Sequence, residues 1–349
     1  MDANRARAEA EETAGRWAEA ADAWAEVSAA ATDAVAAAEA ATRAADAYRR
    51  DDRPGLSARW IRTALGHRPA TLRDAALLAG ALLDSGEVEG ALQVAAAACD
   101  AAEDDGARAL GLDVLASAFL AAGRVPELRM VVDDLAEIDA GSARMSTAYR
   151  RAQLARLEGD LRGADAQWRS LVAVLLPHPA AAGALAGTWM DLGEQAVLRL
   201  ALRGLPWTGP ELDAAVLEAE ADACFAQAGA AWARANRRAG LLRAECWRAR
   251  LRPGGADGVL DTAVAYADEH GLVGMAIEVR CLRALARRRP LDALQAVELA
   301  RQAPLVRGRA RVIAAELGAR VDLATALREL APDVPWRMRA ERLAHQADA

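Results

Sequence analysis

Lysine is missing from this 349-residue sequence: all 43 basic side chains are arginine. Arginine is therefore the default cation, and a single arginine at a given position carries little meaning. The bias fits a GC-rich coding sequence, as in a high-GC bacterium. Aromatic residues are 4% of the chain, with two Phe, three Tyr and nine Trp, so the 54% hydrophobic fraction is largely aliphatic. Much of it is alanine, the strongest helix former, while Val and Ile are too few for strand-rich structure. The composition excludes a β fold and predicts an all-α one. Only four cysteines occur, at Cys99, Cys224, Cys246 and Cys281. They are far apart and never form a CxxC pair, which excludes a disulfide framework and predicts reduced, buried thiols. No run of about 18 apolar residues is free of charge, so no membrane span is expected. The opening stretch MDANRARAEAEE is charged and leads into no apolar segment; no secretory signal is expected, and the expected location is the cytoplasm.

Motifs of known chemistry are also missing. GALAG (183–187) lacks the Lys-Ser/Thr of a phosphate loop, and neither an HExxH nor a GxSxG pattern occurs. His67, His178, His270 and His345 are isolated and fall near helix ends or loops. Acidic runs such as DDLAEID (133–139) read as solvated helix faces. The chain is therefore expected to have no catalytic residues, no metal and no cofactor.

A repeat is present. With Gly15 as origin, equivalent positions fall at Asp51, Gly86, Gly123 and Gly159, in steps of 36, 35, 37 and 36 residues. Alanine always stands seven residues before the origin, at Ala8, Ala44, Ala79, Ala116 and Ala152. Nine after it stand Trp24, Trp60, Ala95, Val132 and Trp168. The offsets two, five, nine and twelve trace one helical stripe behind a turn. Each unit reads as two helices joined at a residue suited to a left-handed conformation, with a small residue where the helices approach. Trp24, Trp60 and Trp168 share one position and are expected in the core between units. A single pair cannot bury its apolar stripe, so neighbours must stack.

GRWAEAADAWAEV (15–27), SGEVEGALQVAAAA (85–98) and GDLRGADAQWRSL (159–171) resemble the tetratricopeptide repeat, with Pro69 and Pro177 near the ends of units. The Asp51 unit departs, having DDRPGLSARW in place of glycine and aromatic. The resemblance implies a right-handed superhelical solenoid of antiparallel helix pairs: an array of about five hairpins over 1–179, an irregular sixth hairpin and joint over 180–210, and a further helical-repeat region over 211–349. Gly193 is a candidate sixth turn, and GLPWTGPEL (204–212) should break helicity. Beyond it, the stretch from Phe225 to Ala286 is similar to the C-terminal helical repeats of large LuxR-type ATPase regulators, without their nucleotide-binding or DNA-binding segments. RVIAAELGARVDLATALREL (311–330) imitates a DNA-reading helix-turn-helix, but Asp322 and Glu329 on its second helix would meet phosphate, so another hairpin is the better reading.

Charge is divided unevenly. Residues 1–231 hold 22 Arg against 36 acids, whereas residues 232–320 hold 17 Arg against 9. Arg234, Arg237 and Arg238 cluster at one helix start, and Arg280, Arg283 and Arg287 share a helix face. With Trp207 in the joint, these are the candidate partner-binding residues. The resemblance implies a non-catalytic cytosolic scaffold or adaptor that binds a peptide or partner protein in its concave surface. The alternative is a regulatory or sensor subunit related to the helical part of LuxR-type regulators. A second copy of the chain is a further candidate partner; nucleic acid and membrane are not expected ones.

Overall fold

The computed structural model of the chain describes residues 2–139, 141–203, 213–252 and 257–348. Among them are nineteen α-helices, one 3₁₀ turn (Pro179–Ala181) and no strand. The first ten helices are α1 (Asp2–Thr13), α2 (Trp17–Ala30), α3 (Ala34–Arg50), α4 (Pro54–Leu65), α5 (Leu72–Asp84), α6 (Val88–Asp100), α7 (Asp105–Ala122), α8 (Val125–Glu137), α9 (Gly141–Leu157) and α10 (Leu161–Leu175). The others are α11 (Ala182–Ala201), α12 (Ala214–Arg234), α13 (Arg238–Leu251), α14 (Asp257–His270), α15 (Val273–Arg287), α16 (Pro290–Leu299), α17 (Pro304–Glu316), α18 (Leu323–Glu329) and α19 (Val334–Asp348). No helix among the described residues is long and apolar enough to cross a membrane. Trp207 and its joint lie outside the described residues, as do residues 253–256.

Helices α2, α6, α8 and α10 begin two residues after Gly15, Gly86, Gly123 and Gly159. These glycines have φ of +70°, +81°, +71° and +89°, a region that costs other residues strain. At Gly123 the turn closes α7: the Gly123 N–H donates to the Leu120 carbonyl at 3.2 Å and the Arg124 N–H to that of Phe119 at 2.9 Å. The five alanines seven residues before the repeat origins are all fully buried, and so are Trp24 and Trp168 in the next helix.

One register differs from the sequence reading. The left-handed residue of the second unit is Asp52 (φ +59°), not Asp51. Counting from Asp52 puts Pro54, Ser57, Ile61 and Ala64 on the buried stripe, and Ile61 takes the place held by Trp24 and Trp168. Trp60 is turned aside and half-buried. A second correction concerns Gly193, which opens no hairpin because α11 runs unbroken through it. It allows close helix packing instead: a Cβ there would lie 2.6 Å from the Phe225 ring on α12. Asn236 (φ +52°) and Gly271 (φ +66°) make left-handed turns before α13 and α15. In the first half such turns follow odd-numbered helices, but these two follow even-numbered ones. Helix α11, which packs closely on α12, stands at this change of phase, and the left-handed Arg288 and Gly318 follow the odd-numbered α15 and α17 once more.

The odd-numbered helices form an inner layer. Helix α3 packs on α5, α5 on α7 and α7 on α9; α13 packs on α15, α15 on α17 and α17 on α19. The chain then winds back on itself, since α5 meets α15, α7 meets α17 and α9 meets α19, each ten helices further on. Turns make these long-range contacts. A Cβ on Gly86 would stand 2.9 Å from Val273, and one on Gly123 or Gly159 would stand 3.1 Å from Leu305 or Val334. At Gly15 the carbonyl accepts from the Asn236 side-chain amide. Asp52 is 2% exposed and accepts from the Ala239 backbone N–H at 2.7 Å and the Tyr266 hydroxyl at 3.0 Å, with Arg237 at 3.4 Å. It thus caps the first turn of α13 from the other half of the chain.

Candidate functional site: an internal cavity

The winding leaves a cavity of about 480 Å³ between α9, α11, α13, α15, α17 and α19. Small, regularly spaced residues let these helices pack side by side, and their inward faces supply the lining. Val197, Leu198, Ile277, Leu282, Leu285 and Ile313 give apolar wall, with Trp247 and Trp336 as flat aromatic surfaces. A cavity of this size and mixed character can hold a compact organic guest.

At one end, Glu278 is fully engaged. It accepts from Arg243 Nε at 2.7 Å and from Trp247 Nε1 at 2.6 Å. Glu194 on α11 has only long ion pairs, to Arg156 at 3.6 Å and to Arg243 at 3.8 Å. Burial, followed by the negative charge of Glu278, pushes the Glu194 carboxyl up to about 7. Burial works against the charge on Arg243, but Glu278 and Glu194 outweigh it and hold the guanidinium above its ordinary range. The thiol of Cys281, also in the wall, is pushed up to about 12 by burial and then by Glu278 and Asp292, which keeps it protonated and a poor nucleophile.

The other end is richer in positive charge. Arg309 donates twice to Asp333, at 2.8 and 2.5 Å. Arg339 binds Glu316 and lies over the Trp336 ring at 4.5 Å. Arg250 lines the same cavity and makes no hydrogen bond or ion pair with any described residue. Burial, then repulsion from Arg339 and Arg288, lowers its affinity for its proton.

A second concavity, of about 630 Å³, is lined by α3, α7, α9, α10 and α11. Its charged groups already have partners: Arg49 pairs with Asp84 at 3.2 Å, and Arg150 binds Asp113, Ser117 and Gln153. No group of three or more His, Cys, Asp or Glu side chains is placed to hold a metal ion among the described residues.

The arginines singled out in the sequence lie elsewhere, and most have partners on neighbouring helices. Arg280 binds Asp268, and Arg283 bridges Asp261 and Asp292; Arg287 joins Asp261 at 2.6 Å. Arg237 pairs with Asp52, and Arg238 lies over the Tyr266 ring at 5.8 Å. Arg234 is exposed at the end of α12. Arg307 and Arg311, upstream of the apparent helix-turn-helix, are both taken up by Glu329.

Sequence reasoning passed over Arg156, Glu194, Arg243, Arg250 and Glu278. A signal was present: Arg49–Asp84, Arg156–Asp191 and Arg243–Glu278 are each 35 residues apart, and Asp113–Arg150 is 37 apart. Charges of opposite sign at one repeat length meet across adjacent inner helices. No protein-family model matches this chain, and a comparison with curated proteins finds no match.

Proposed function

We propose that the chain is a tetratricopeptide-like superhelical solenoid and a non-catalytic binding module of the cytoplasm, which holds a peptide segment or small molecule on its concave side. The supporting observation is the partly open cavity lined by six inner helices, in which apolar wall and charged groups face a common space. Glu194 is the lining group nearest to a general acid–base in proton affinity, but the Cys281 thiol in the same lining is held protonated, which favours binding over catalysis. A sensor role within this reading is favoured by one arrangement: α9, α15, α17 and α19 line the cavity and also make the contacts between the two halves. A guest touching them would bias how tightly the halves close.

Gly274 gives a direct test. It lines the cavity near the start of α15, and a Cβ there would meet no atom within 4 Å. Gly274 is exposed at the opening, so Gly274→Phe should obstruct the mouth of the cavity while leaving the helices intact. Native mass spectrometry after incubation with host extract should find a bound guest on the wild type and none on the plugged variant, with matching circular dichroism. Equal guest binding by both proteins would remove the cavity from the function.

A further inference from the structure

We propose that the cavity takes an amphipathic organic anion, a carboxylate or phosphate head group on an apolar body, with the head group bound by Arg250. The inference rests on the reading of the cavity as a binding site and adds the chemistry of the guest. Three observations carry it. The first is the state of Arg250: the residue lines a partly enclosed space, and its water-accessible guanidinium has no acceptor among the described residues. A guest that displaces water from this guanidinium must give it an acceptor in return, and an anionic head group gives the strongest one.

The second is the contrast with its neighbours. Arg156, Arg243, Arg309 and Arg339 line the same cavity, and each is matched by an acid, namely Asp191, Glu278, Asp333 and Glu316. Arg250 is thus the cation left over, close to Arg339 and Arg288. A neutral or cationic guest would leave that surplus uncompensated.

The third is the wall. Trp336 on α19 and Trp247 on α13, with Leu282, Leu285 and Ile313, offer apolar and aromatic surface next to the charge. The Arg339 guanidinium already covers the Trp336 ring, so Arg339 stays in place as Arg250 closes on the head group. A small inorganic anion would satisfy Arg250 but leave this wall uncovered, whereas an amphipathic anion satisfies both.

The test is calorimetric titration of the full chain with four ten-carbon probes below their micellar concentrations: decanoate, decyl phosphate, decan-1-ol and decyltrimethylammonium. At least one anionic probe should bind with one-to-one stoichiometry, about tenfold or more tighter than the alcohol, and the cation should bind weakest. The ratio of decanoate to decyl phosphate affinity tells which head group is the better fit. Arg250→Met should bring the anion down to the affinity of the alcohol without lowering the melting temperature, because Arg250 makes no hydrogen bond or ion pair with any described residue. Gly274→Phe should abolish binding of every probe. If the alcohol binds as tightly as the anions, or Arg250→Met keeps the anion preference, the inference fails while the cavity remains a binding site. If no probe binds, the inference also fails, and the reading of the site then stands or falls on the guest found by mass spectrometry.

Discussion

At the scale of single residues, the most informative side chains stand where the repeat pattern is broken. Asp52 occupies a left-handed position that four other units give to glycine. The strain of φ +59° on an aspartate is offset by what its carboxylate does for α13, Tyr266 and Arg237. Asp52→Gly relieves the backbone and removes the carboxylate, so a loss of stability isolates the cross-half contacts. Chemical denaturation should show a loss of ~1–3 kcal/mol, the range for orphaning buried hydrogen-bonding groups; no loss would mean that the cap contributes nothing. Glu194 makes a different demand. Its native carboxyl holds a proton up to about 7, above the ordinary 4.5, so the folded state binds more protons than the unfolded chain between those values. Stability should therefore fall as pH rises through that window. Melting temperatures across it should show the decline in the wild type and a shallower one in Glu194→Gln.

At the scale of the helix, the core stripe is set by the left-handed residue before it. A shift of one position at Asp52 moves the whole stripe of α4, bringing Ile61 inward and turning Trp60 aside. Truncations measure this directly. Trp168→Ala should cost ~3–5 kcal/mol and Ile61→Ala ~2–5 kcal/mol, the ranges for emptying close-packed positions. Trp60→Ala should cost less than Trp168→Ala in the same denaturation assay, although both are tryptophans at the same apparent repeat position. A reversed order would restore the register counted from Asp51.

At the scale of the whole molecule, stability depends on contacts between residues very far apart in sequence. The turn glycines serve twice, first in making a hairpin and then in admitting a neighbour ten helices on. Gly86 shows both roles, with φ +81° and Val273 standing 2.9 Å from where its Cβ would be. Gly86→Ala should cost ~1–3 kcal/mol through strain and crowding. Val273→Ala in the same chain should relieve the crowding part, giving a measurable coupling energy in a double-mutant cycle. If the two effects simply add, the turns of the two halves do not press on each other in solution. Small-angle scattering on Gly86→Leu should show a larger radius of gyration with helical content retained.

Much of this was legible in the sequence, because it follows from local rules. Alanine-rich composition and the lack of β-branched runs gave helices, and turn residues 35 to 37 apart gave the first five hairpins and their buried stripes. The same rules misplaced one turn by a residue, since the aspartates of DDRPG look alike until the partner of one carboxylate is known. They also suggested a hairpin at Gly193, where the glycine answers to Phe225 on the next helix rather than to a turn. The cavity was decided by tertiary structure alone. Its lining comes from six helices between α9 and α19, and which arginines face inward depends on the phase change at α11 and on the winding that brings α9 to α19. Periodicity along a chain fixes which face of a helix is buried. Whether half-buried arginines find acids or, like Arg250, have none among the described residues is settled only when distant helices meet.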